Sequence, residues 1–297
     1  MLKKIISFLI LLPLYGFNYL IDILSLLSSQ FKKIVSDYQL DYLNNITREV
    51  NHITSSKKII ELQFYTPNSL CHFRVESFSD KEPETLEWIE EFGGDEAVLF
   101  DIGANIGLYS IYHSKLNSGK CYAFEPSFFN LKWLLKNINL NNFQDKINII
   151  SNPLFDRIGF NEFKYGGNDE GGALSAFGVN FGHDGGQINN KTSSNVLGFS
   201  LDWMLENNVI EIPNLIKLDV DGIEHIILQG AQKVLTHPNC KSILVEVDDS
   251  FSEQSEAVSV LLTSYGYILR DKLHGESTEN SKLFSTSYNQ IWVKNYQ

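Results

Sequence analysis

Apolar and polar positions along this chain follow two alternating periods, which predict strands and helices in turn. The predicted elements of the core are strand 97–101, helix 105–116, strand 120–124, helix 127–139, strand 146–151, strand 196–200, helix 201–207, strand 215–219, helix 223–235, strand 241–247, helix 252–264, strand 266–270 and strand 290–294. Strands and helices that alternate at these lengths favour an α/β fold with a parallel sheet and helices on both faces. The last two strands have no helix between them, which fits an antiparallel hairpin at the sheet edge.

Two regions depart from that rhythm. Residues 34–95 lead to the core, and their pattern predicts a helix over 36–52, strands over 58–65 and 71–75, and a helix over 84–92. Residues 152–196 are rich in glycine and asparagine with phenylalanines interleaved. A stretch of this length without periodicity is usually functional or mobile, and we interpret it as a hairpin-bearing insertion that covers the substrate. A disordered surface loop is the alternative, and the aromatic residues argue against it.

The N-terminal residues 1–33 form a third region. Residues 5–27 are strongly apolar and flanked by lysine pairs, with interruptions that include Asn18 and Asp22. A bilayer span needs about 20 mostly apolar residues, so three interpretations stay open: a single-span anchor, a helix in the membrane interface, or a helix packed on the protein. No small-x-small cleavage site follows, which argues against a secretory signal.

Composition narrows the classes of partner. The 297 residues are 43% hydrophobic, enough for one large or two small domains, and the formal net charge is -12. No basic stripe with interleaved aromatics occurs, so a nucleic-acid partner is not expected. Cys71, Cys121 and Cys240 are far apart and lack metal-ligand spacing, which indicates buried free thiols in a reducing compartment.

Residues 98–107, VLFDIGANIG, carry the most specific signal: a strand, a glycine-bearing turn and the start of a helix. Gly103 and Gly107 allow close approach of backbone to a ligand, and a helix N-terminus offers free N–H groups. The spacing D-x-G-x-N-x-G differs from the G-x-G-x-x-G of dinucleotide enzymes, which disfavours a nicotinamide oxidoreductase. It resembles the S-adenosylmethionine loop of class I methyltransferases, although an ordinary βα turn is the alternative.

Acidic residues lie at the carboxyl ends of four predicted strands, and Asp101 ends the first of these strands. Glu125 ends the second one, where a carboxylate can accept both hydroxyls of a ribose, unless it is a solvated loop residue. Asp219 and Asp221 follow the strand at 215–219, and Glu246 and Asp248 lie at the end of the next. These four can bind a ligand, act as a general base, or hold Mg²⁺, and each can also cap a helix.

The motifs in order make the chain similar to the FkbM family of S-adenosylmethionine-dependent methyltransferases over roughly residues 70–295. The residues that carry the resemblance are Lys81-Glu82-Pro83-Glu84-Thr85-Leu86, residues 101–107, Phe124-Glu125-Pro126, Ser200-Leu201-Asp202, residues 217–224 and Gly230-Ala231. It implies a Rossmann-like class I fold over 96–297, with a mostly parallel seven-stranded sheet. It also implies methyl transfer from S-adenosyl-L-methionine, commonly to oxygen, on sugars or polyketide-like products. Since that cofactor is cytosolic, we expect a cytoplasmic protein, attached to the cytoplasmic face of a membrane if residues 5–27 bind one.

The resemblance also suggests roles for individual residues. Residues expected to bind the cofactor are Glu84, Thr85, Asp101, Gly103, Asn105, Gly107, Glu125, Leu154 and Asp156. Residues expected to face the acceptor, a small molecule or glycan, are Asp219, Asp221, Glu246 and Asp248. Asp221 stands where the family often has Glu, which shortens its reach by one methylene. The sequence leaves the acceptor, the need for Mg²⁺ and the oligomeric state open.

Two other classes of protein remain as alternatives. A metal-dependent glycosyltransferase would use Asp219 and Asp221 as a D-x-D site, against which the glycine loop counts. A membrane-tethered binding protein would keep the fold without turnover, against which the intact loop and Glu125 count.

Overall fold

The computed structural model describes residue 12, residues 15–16 and 19–23, and residues 29–188, 192–274 and 284–295. The chain divides into two compact units, residues 1–46 and residues 47–297. In the first unit, α1 (Ser29–Asn45) is a helix of 17 residues. No helix within the described ranges is both long and apolar enough to cross a bilayer. The apolar stretch 5–27 lies mostly outside those ranges, so its association with a membrane stays a prediction.

The second unit is an α/β fold built around one large sheet. Its elements, in chain order, are β1 (Thr47–Ile53), β2 (Ile59–Tyr65), α2 (Ser69–Glu76), α3 (Pro83–Phe92), β3 (Leu99–Ile102), α4 (Leu108–Leu116), β4 (Cys121–Phe124), α5 (Phe128–Leu140), β5 (Ile147–Ile150), β6 (Gly159–Lys164), β7 (Ala176–Phe177), β8 (Ser193–Gly198), α6 (Leu201–Glu206), β9 (Leu215–Leu218), α7 (Glu224–Gln229), α8 (Gln232–Thr236), β10 (Ser242–Asp248), α9 (Ser252–Ser264), β11 (Tyr267–Leu273) and β12 (Ser287–Lys294). Residues 47–95 therefore belong to the same compact unit as the core.

The large sheet has seven strands in the order β11-β12-β10-β9-β3-β4-β5. The five strands from β10 to β5 run parallel, and β12 lies antiparallel to both of its neighbours. This confirms the predicted mostly parallel sheet with an antiparallel closing hairpin. The chain builds outward from β3 in one direction and from β9 in the other. The boundary between β3 and β9 is therefore the switch point at which open α/β sheets bind ligands.

Two hydrophobic cores cover the two faces of this sheet. Successive strand residues point to opposite faces, so Leu99 packs in one core and its neighbour Phe100 in the other. One core packs against α2 to α5, and the other packs against α6 to α9 and the insertion. The helices on both faces fix the strand ends, where the loops that carry polar side chains emerge.

Three of the predicted helices and strands differ from the structure. The helix expected over 36–52 ends at Asn45, and 47–53 is a strand that pairs antiparallel with 59–65. The strand expected over 71–75 is helix α2, because the Asn68 side chain caps it by accepting a hydrogen bond from the Cys71 N–H at 2.8 Å. The helix expected over 223–235 is interrupted at Gly230, where an added Cβ would lie 2.6 Å from a neighbouring backbone oxygen.

The insertion after β5 contains a small antiparallel sheet in the order β7-β6-β8. Phe163 and Phe177 are buried in the core, and Phe155 and Phe181 pack against it, whereas Phe160 is exposed. The segment 169–174, which we call the strap, lies between β6 and β7 and returns to the carboxyl edge of the large sheet. The described part of the insertion is therefore an ordered structure built on aromatic contacts.

Candidate functional site

The loop between β3 and α4 turns sharply against the neighbouring strands. Gly103 has a φ of +89°, and a Cβ at this position would lie 1.9 Å from the Asp219 carbonyl oxygen. The Gly103 and Ala104 N–H groups both donate to the carbonyl of Phe124 at 3.0 Å. Only glycine fits at 103, since a side chain there would push β3 and β9 apart. The turn leaves Asn105, with a φ of +51°, at the sheet edge.

Glu125 lies directly after β4 and contacts this loop. Its carboxylate accepts hydrogen bonds from the backbone N–H groups of Asn105 and Ser127, each at 2.8 Å. Burial raises the pKa of Glu125 to about 7, although these two N–H groups act in the opposite direction. The sequence-predicted carboxylate at the end of the second strand is therefore buried, anchored and able to change charge near neutral pH.

These residues line a first cavity at the switch point, which encloses about 1120 Å³ with open solvent included. Four of the predicted cofactor residues lie in its wall: Gly103, Asn105, Glu125 and Leu154. Apolar side chains at the same wall include Ile102, Phe124, Phe163 and Phe177. A cavity with an apolar lining and a few fixed polar groups is typical of small-molecule sites.

The structure places the other five predicted cofactor residues outside the described wall of the first cavity. Asp101 is fully buried below the sheet edge and accepts a hydrogen bond from Ser110 Oγ at 2.6 Å. Thr85 is also fully buried, and Gly107 adopts a left-handed conformation at the start of α4. Asp156 packs beside Gly230, whereas Glu84 lines a different cavity described below.

Lys217 on strand β9 is a buried charge, with 1% of its surface exposed. Its ammonium lies 2.8 Å from Asp219 Oδ2. Burial alone would lower the pKa of Lys217, but the carboxylates of Asp219, Asp101 and Glu82 together raise it. Burial would likewise raise the pKa of Asp219, yet Lys217 holds it well below its ordinary range. The two side chains therefore stay charged together.

A second ion pair adjoins the first. Lys81 and Glu82 contact each other at the start of α3, and Tyr109 donates a hydrogen bond to Glu82 Oε2 at 2.8 Å. Despite burial, Lys81 and Lys217 lower the pKa of Glu82. Lys81 and Glu82 both line the first cavity, one turn before the predicted Glu84 and Thr85.

A second cavity adjoins the first and shares six residues of its wall: Arg74, Lys81, Glu82, Ala173, Asp219 and Asp221. Its own lining is partly polar and partly apolar: Leu70, Phe73, Glu84, Leu174, Glu246, Leu273, His274, Phe284, Ser287 and Asn289. Of the four predicted acceptor residues, Asp219 and Asp221 lie in the shared wall and Glu246 lies in the second cavity. Asp248 is outside the described walls and accepts hydrogen bonds from the Ser250 N–H and hydroxyl at 2.8 and 2.6 Å.

The carboxyl groups in the shared wall and next to it differ in their protonation states. Burial first, and then the charge of Asp219, raises the pKa of Asp221 to about 6, while the Leu174 N–H donates to its Oδ2 at 2.6 Å. Burial and the same charge raise the pKa of Glu246 well above its ordinary value, and it shares a hydrogen bond with Asp219. Asp219 is therefore anionic, Glu246 keeps its proton, and Asp221 titrates between them.

The strap closes one side of both cavities through side chains of the site itself. Asn105 and Asn130 donate to the Gly172 carbonyl at 2.8 and 3.1 Å, and Asn130 also accepts from the Gly171 N–H at 2.9 Å. Arg74 donates to the Gly171 carbonyl at 2.6 Å. The strap is thus fixed from the first cavity by Asn105 and from the shared wall by Asp221.

Sequence reasoning assigned no role to Arg74, Lys81, Glu82 or Lys217. A signal for Lys217 was present, since a lysine inside an apolar parallel strand must be buried and needs an acidic partner. Within the described residues, no group of three or more His, Cys, Asp or Glu side chains is arranged to hold a metal ion. The Asp219 carboxylate that a D-x-D metal site would need is paired with Lys217 instead.

The sequence was compared with models of protein families and with solved structures. Residues 101–269 match the model of the methyltransferase FkbM domain. A solved FkbM methyltransferase from Methylobacillus flagellatus is 15% identical with a TM-score of 0.45, and the match covers 67% of this chain and 44% of that one. A putative methyltransferase from Streptococcus mutans, solved in complex with SAH, is 10% identical with a TM-score of 0.46, covering 72% and 98%.

No protein of curated function matches the sequence. This chain spans less than half of the length of the Methylobacillus protein. The family model, by contrast, covers more than half of this chain and includes the glycine loop, Glu125 and the Asp219 turn. The chain therefore belongs to the FkbM family of S-adenosylmethionine-dependent methyltransferases.

Proposed function

We propose that this protein methylates a hydroxyl oxygen on a sugar, a glycan precursor or a related natural product. The observation that carries the proposal is the place of Asp221, in the wall shared by the two cavities. With a pKa of about 6, its carboxylate is mostly deprotonated at neutral pH and still basic enough to accept a proton. A hydroxyl that reaches this wall from the second cavity meets a base at the boundary with the first.

The other predicted acidic residues suit this role less well. Lys217 stabilises the Asp219 anion and makes it a weak base. Glu246 keeps its own proton, since burial and Asp219 raise its pKa. Asp248 is held by Ser250 away from both cavities. Asp221 is therefore our candidate for the general base.

The residues of the first cavity fit S-adenosylmethionine. The side-chain oxygen of Asn105 is buried without a hydrogen-bond partner among the described residues, so it can accept from the ammonium of the methionine moiety. Glu125 can accept from the ribose hydroxyls, and Leu154 with Phe163 and Phe177 offers an apolar surface to the adenine ring.

When bound, the cofactor would supply an electrophilic methyl group. The acceptor oxygen would form the new O–C bond as the S–C bond breaks and leaves its electron pair on sulfur. The hydroxyl proton must then leave the acceptor. Asp221 accepts that proton on the carboxylate oxygen not held by Leu174. The strap contacts this boundary through the bond from the Leu174 N–H to Asp221.

Transfer of a labelled methyl group to a panel of free sugars, methyl glycosides and nucleotide sugars tests the proposal. The Asp221→Asn variant should lose about 10²–10⁴-fold in kcat/KM, the usual contribution of a general base. The Asp221→Glu variant should keep much of the activity, because Glu restores the carboxylate. In the parent, kcat/KM should rise with pH through about 6 as Asp221 loses its proton.

Asp145→Asn is a matched control, because Asp145 is exposed at the opposite end of β5. Full activity of Asp221→Asn, with an unchanged pH profile, would show that Asp221 is not the base. Labelled product on nitrogen rather than oxygen would overturn the proposed acceptor group.

A further inference from the structure

The second cavity contains a buried polar pair that has no role in the chemistry described so far. Asn289 Nδ2 donates to Glu84 Oε1 at 2.7 Å, and the two residues are 8% and 7% exposed. Both line the second cavity and not the described wall of the first. Burying an amide and a carboxyl group costs free energy unless hydrogen bonds compensate, so the pair is an expensive arrangement for a purely structural contact.

Asn289 has further hydrogen-bonding capacity. Its amide carries two N–H donors and one carbonyl acceptor, and the bond to Glu84 uses one donor. Among the described residues, no other side-chain hydrogen bond of Asn289 is formed, and its side-chain oxygen is not sealed from solvent. That oxygen can therefore accept a hydrogen bond from a hydroxyl group in the cavity, and the second N–H of the amide can donate to one.

The surroundings define the position of this pair relative to the base. Asn289 lies directly opposite Glu246 in the antiparallel ladder, so their side chains share one face of the sheet. Glu246 in turn contacts Asp219 in the shared wall. The Glu84–Asn289 pair is thus displaced from Asp221 along the second cavity, on the side away from the first.

The charges of the shared wall are largely balanced. Glu82 and Asp219 are paired with Lys81 and Lys217, and Arg74 lies in the same wall. The polar groups of the pair itself therefore decide which ligand fits this position, and a hydroxyl group matches them. Leu174, Phe73 and Phe284 supply apolar surface in the same cavity, suited to the C–H face of a ring.

We propose that the Glu84–Asn289 pair binds a second, unreacted hydroxyl group of the acceptor and so selects which hydroxyl reaches Asp221. The inference rests on the proposed methyl transfer and adds the requirement that the acceptor is a polyol. The pair determines specificity by fixing how the acceptor ring lies in the cavity, and it takes no part in the transfer of the proton.

Binding of methyl glycosides and their monodeoxy analogues, measured by calorimetry and by saturation-transfer NMR in the presence of S-adenosylhomocysteine, tests this. The Asn289→Leu substitution keeps a side chain of similar volume and removes the N–H donors and the carbonyl acceptor of the amide. We expect it to bind an accepted methyl glycoside about tenfold more weakly, while binding of S-adenosylhomocysteine changes less than about twofold. Gln290→Leu is the control, because Gln290 lies on the other face of the same strand.

The deoxy analogues make the test specific. The parent should bind the analogue that lacks one particular hydroxyl about tenfold more weakly than the intact glycoside. The Asn289→Leu variant should bind that analogue and the intact glycoside with equal affinity. Glu84→Gln, which can still accept from Asn289, should show a smaller effect. Thermal unfolding confirms that each variant is folded.

Two results would overturn the inference. One is a parent that binds none of these polyols or binds every deoxy analogue equally well. The other is an Asn289→Leu variant that loses S-adenosylhomocysteine as strongly as the glycoside, which would assign the pair to the cofactor. Failure of the proposed function would be separate, because the parent would then bind the glycoside without transferring a methyl group to its oxygen.

Discussion

Replacement of Lys217 by methionine tests the buried charge network. The lysine side chain is 2% exposed and its ammonium lies 2.8 Å from Asp219. Its removal leaves Asp219, Glu82 and Asp101 without the charge that lowers their pKa values. Breaking a buried ion pair by deleting one partner costs about 3–5 kcal/mol. A domain of this size loses about 2–4 °C in Tm per kcal/mol, so we expect a Tm lower by roughly 6–20 °C.

The loss should also depend on pH. In the parent, the folded-state pKa of Asp219 is depressed, so its stabilisation is present above the unfolded pKa of about 3.9 and is lost as the pH falls below it. In the variant, Asp219 lacks its nearest cation, and we expect burial to raise its folded-state pKa above the unfolded one. Protonation then stabilises the folded variant, so the difference between parent and variant should narrow from about pH 8 to about pH 5.

Urea denaturation followed by circular dichroism at these two pH values measures both effects. Lys120→Met is the control, because Lys120 is exposed in its ion pair with Glu211 and should contribute little. The double variant Lys217→Met/Asp219→Asn should regain part of the loss, since Asp219 then no longer carries an unpaired charge. Two results would contradict this account. One is a free energy of unfolding that falls no more in Lys217→Met than in Lys120→Met. The other is a stability difference between parent and Lys217→Met that widens toward low pH.

Three further predictions concern ligand binding, measured by calorimetry with S-adenosylhomocysteine. Gly103→Ala should abolish binding, because its Cβ would lie 1.9 Å from the Asp219 carbonyl, whereas Gly94→Ala meets nothing within 4 Å and should bind normally. Glu125→Gln should bind about tenfold to hundredfold more weakly, and the parent's affinity should rise with pH through about 7 as the carboxylate forms; a flat profile in the parent would contradict this. Asn130→Leu, which removes two bonds to the strap, should bind severalfold more weakly and be cleaved faster by protease within 166–174. Unchanged cleavage would show that the strap does not depend on Asn130.

The parts of the fold that local sequence pattern determines were predicted well. The β3–α4 loop, the β4 end at Glu125 and the β9 turn each combine an apolar run with a glycine or an acidic residue, and all three lie at the switch point. Residues 47–53 were assigned to the wrong element because the helical spacing of Ile46 and Val50 outweighed their β-branched character. The pairing of Val50 with Leu62 that settles the matter is not visible in a local window.

The residues that line the first cavity next to α3 were also predicted wrongly: they are Lys81 and Glu82, just before the helix, and not Glu84 and Thr85 within it. Which residues of α3 line a cavity depends on how the helix is seated on the sheet, and Trp88 helps to set this by donating to Ser242 Oγ, 154 positions later, at 2.8 Å. That seating brings Lys81 and Glu82 to the first cavity and leaves Glu84 opposite Asn289. Contacts so distant in sequence cannot be deduced from periodicity, and neither can the neutralisation of Asp219 by Lys217.

The order in which the chain builds its sheet has a consequence for how the protein can diversify. The loops after β3 and β4 supply the glycine turn and Glu125 of the first cavity, whereas part of the second cavity comes from the C-terminal residues 246–289, among them Glu246, Ser287 and Asn289. Changes in this one contiguous segment can therefore reshape the second cavity without altering the glycine loop or Glu125. A graft of residues 240–295 from another family member should redirect the methyl group to a new acceptor while the donor site is inherited intact.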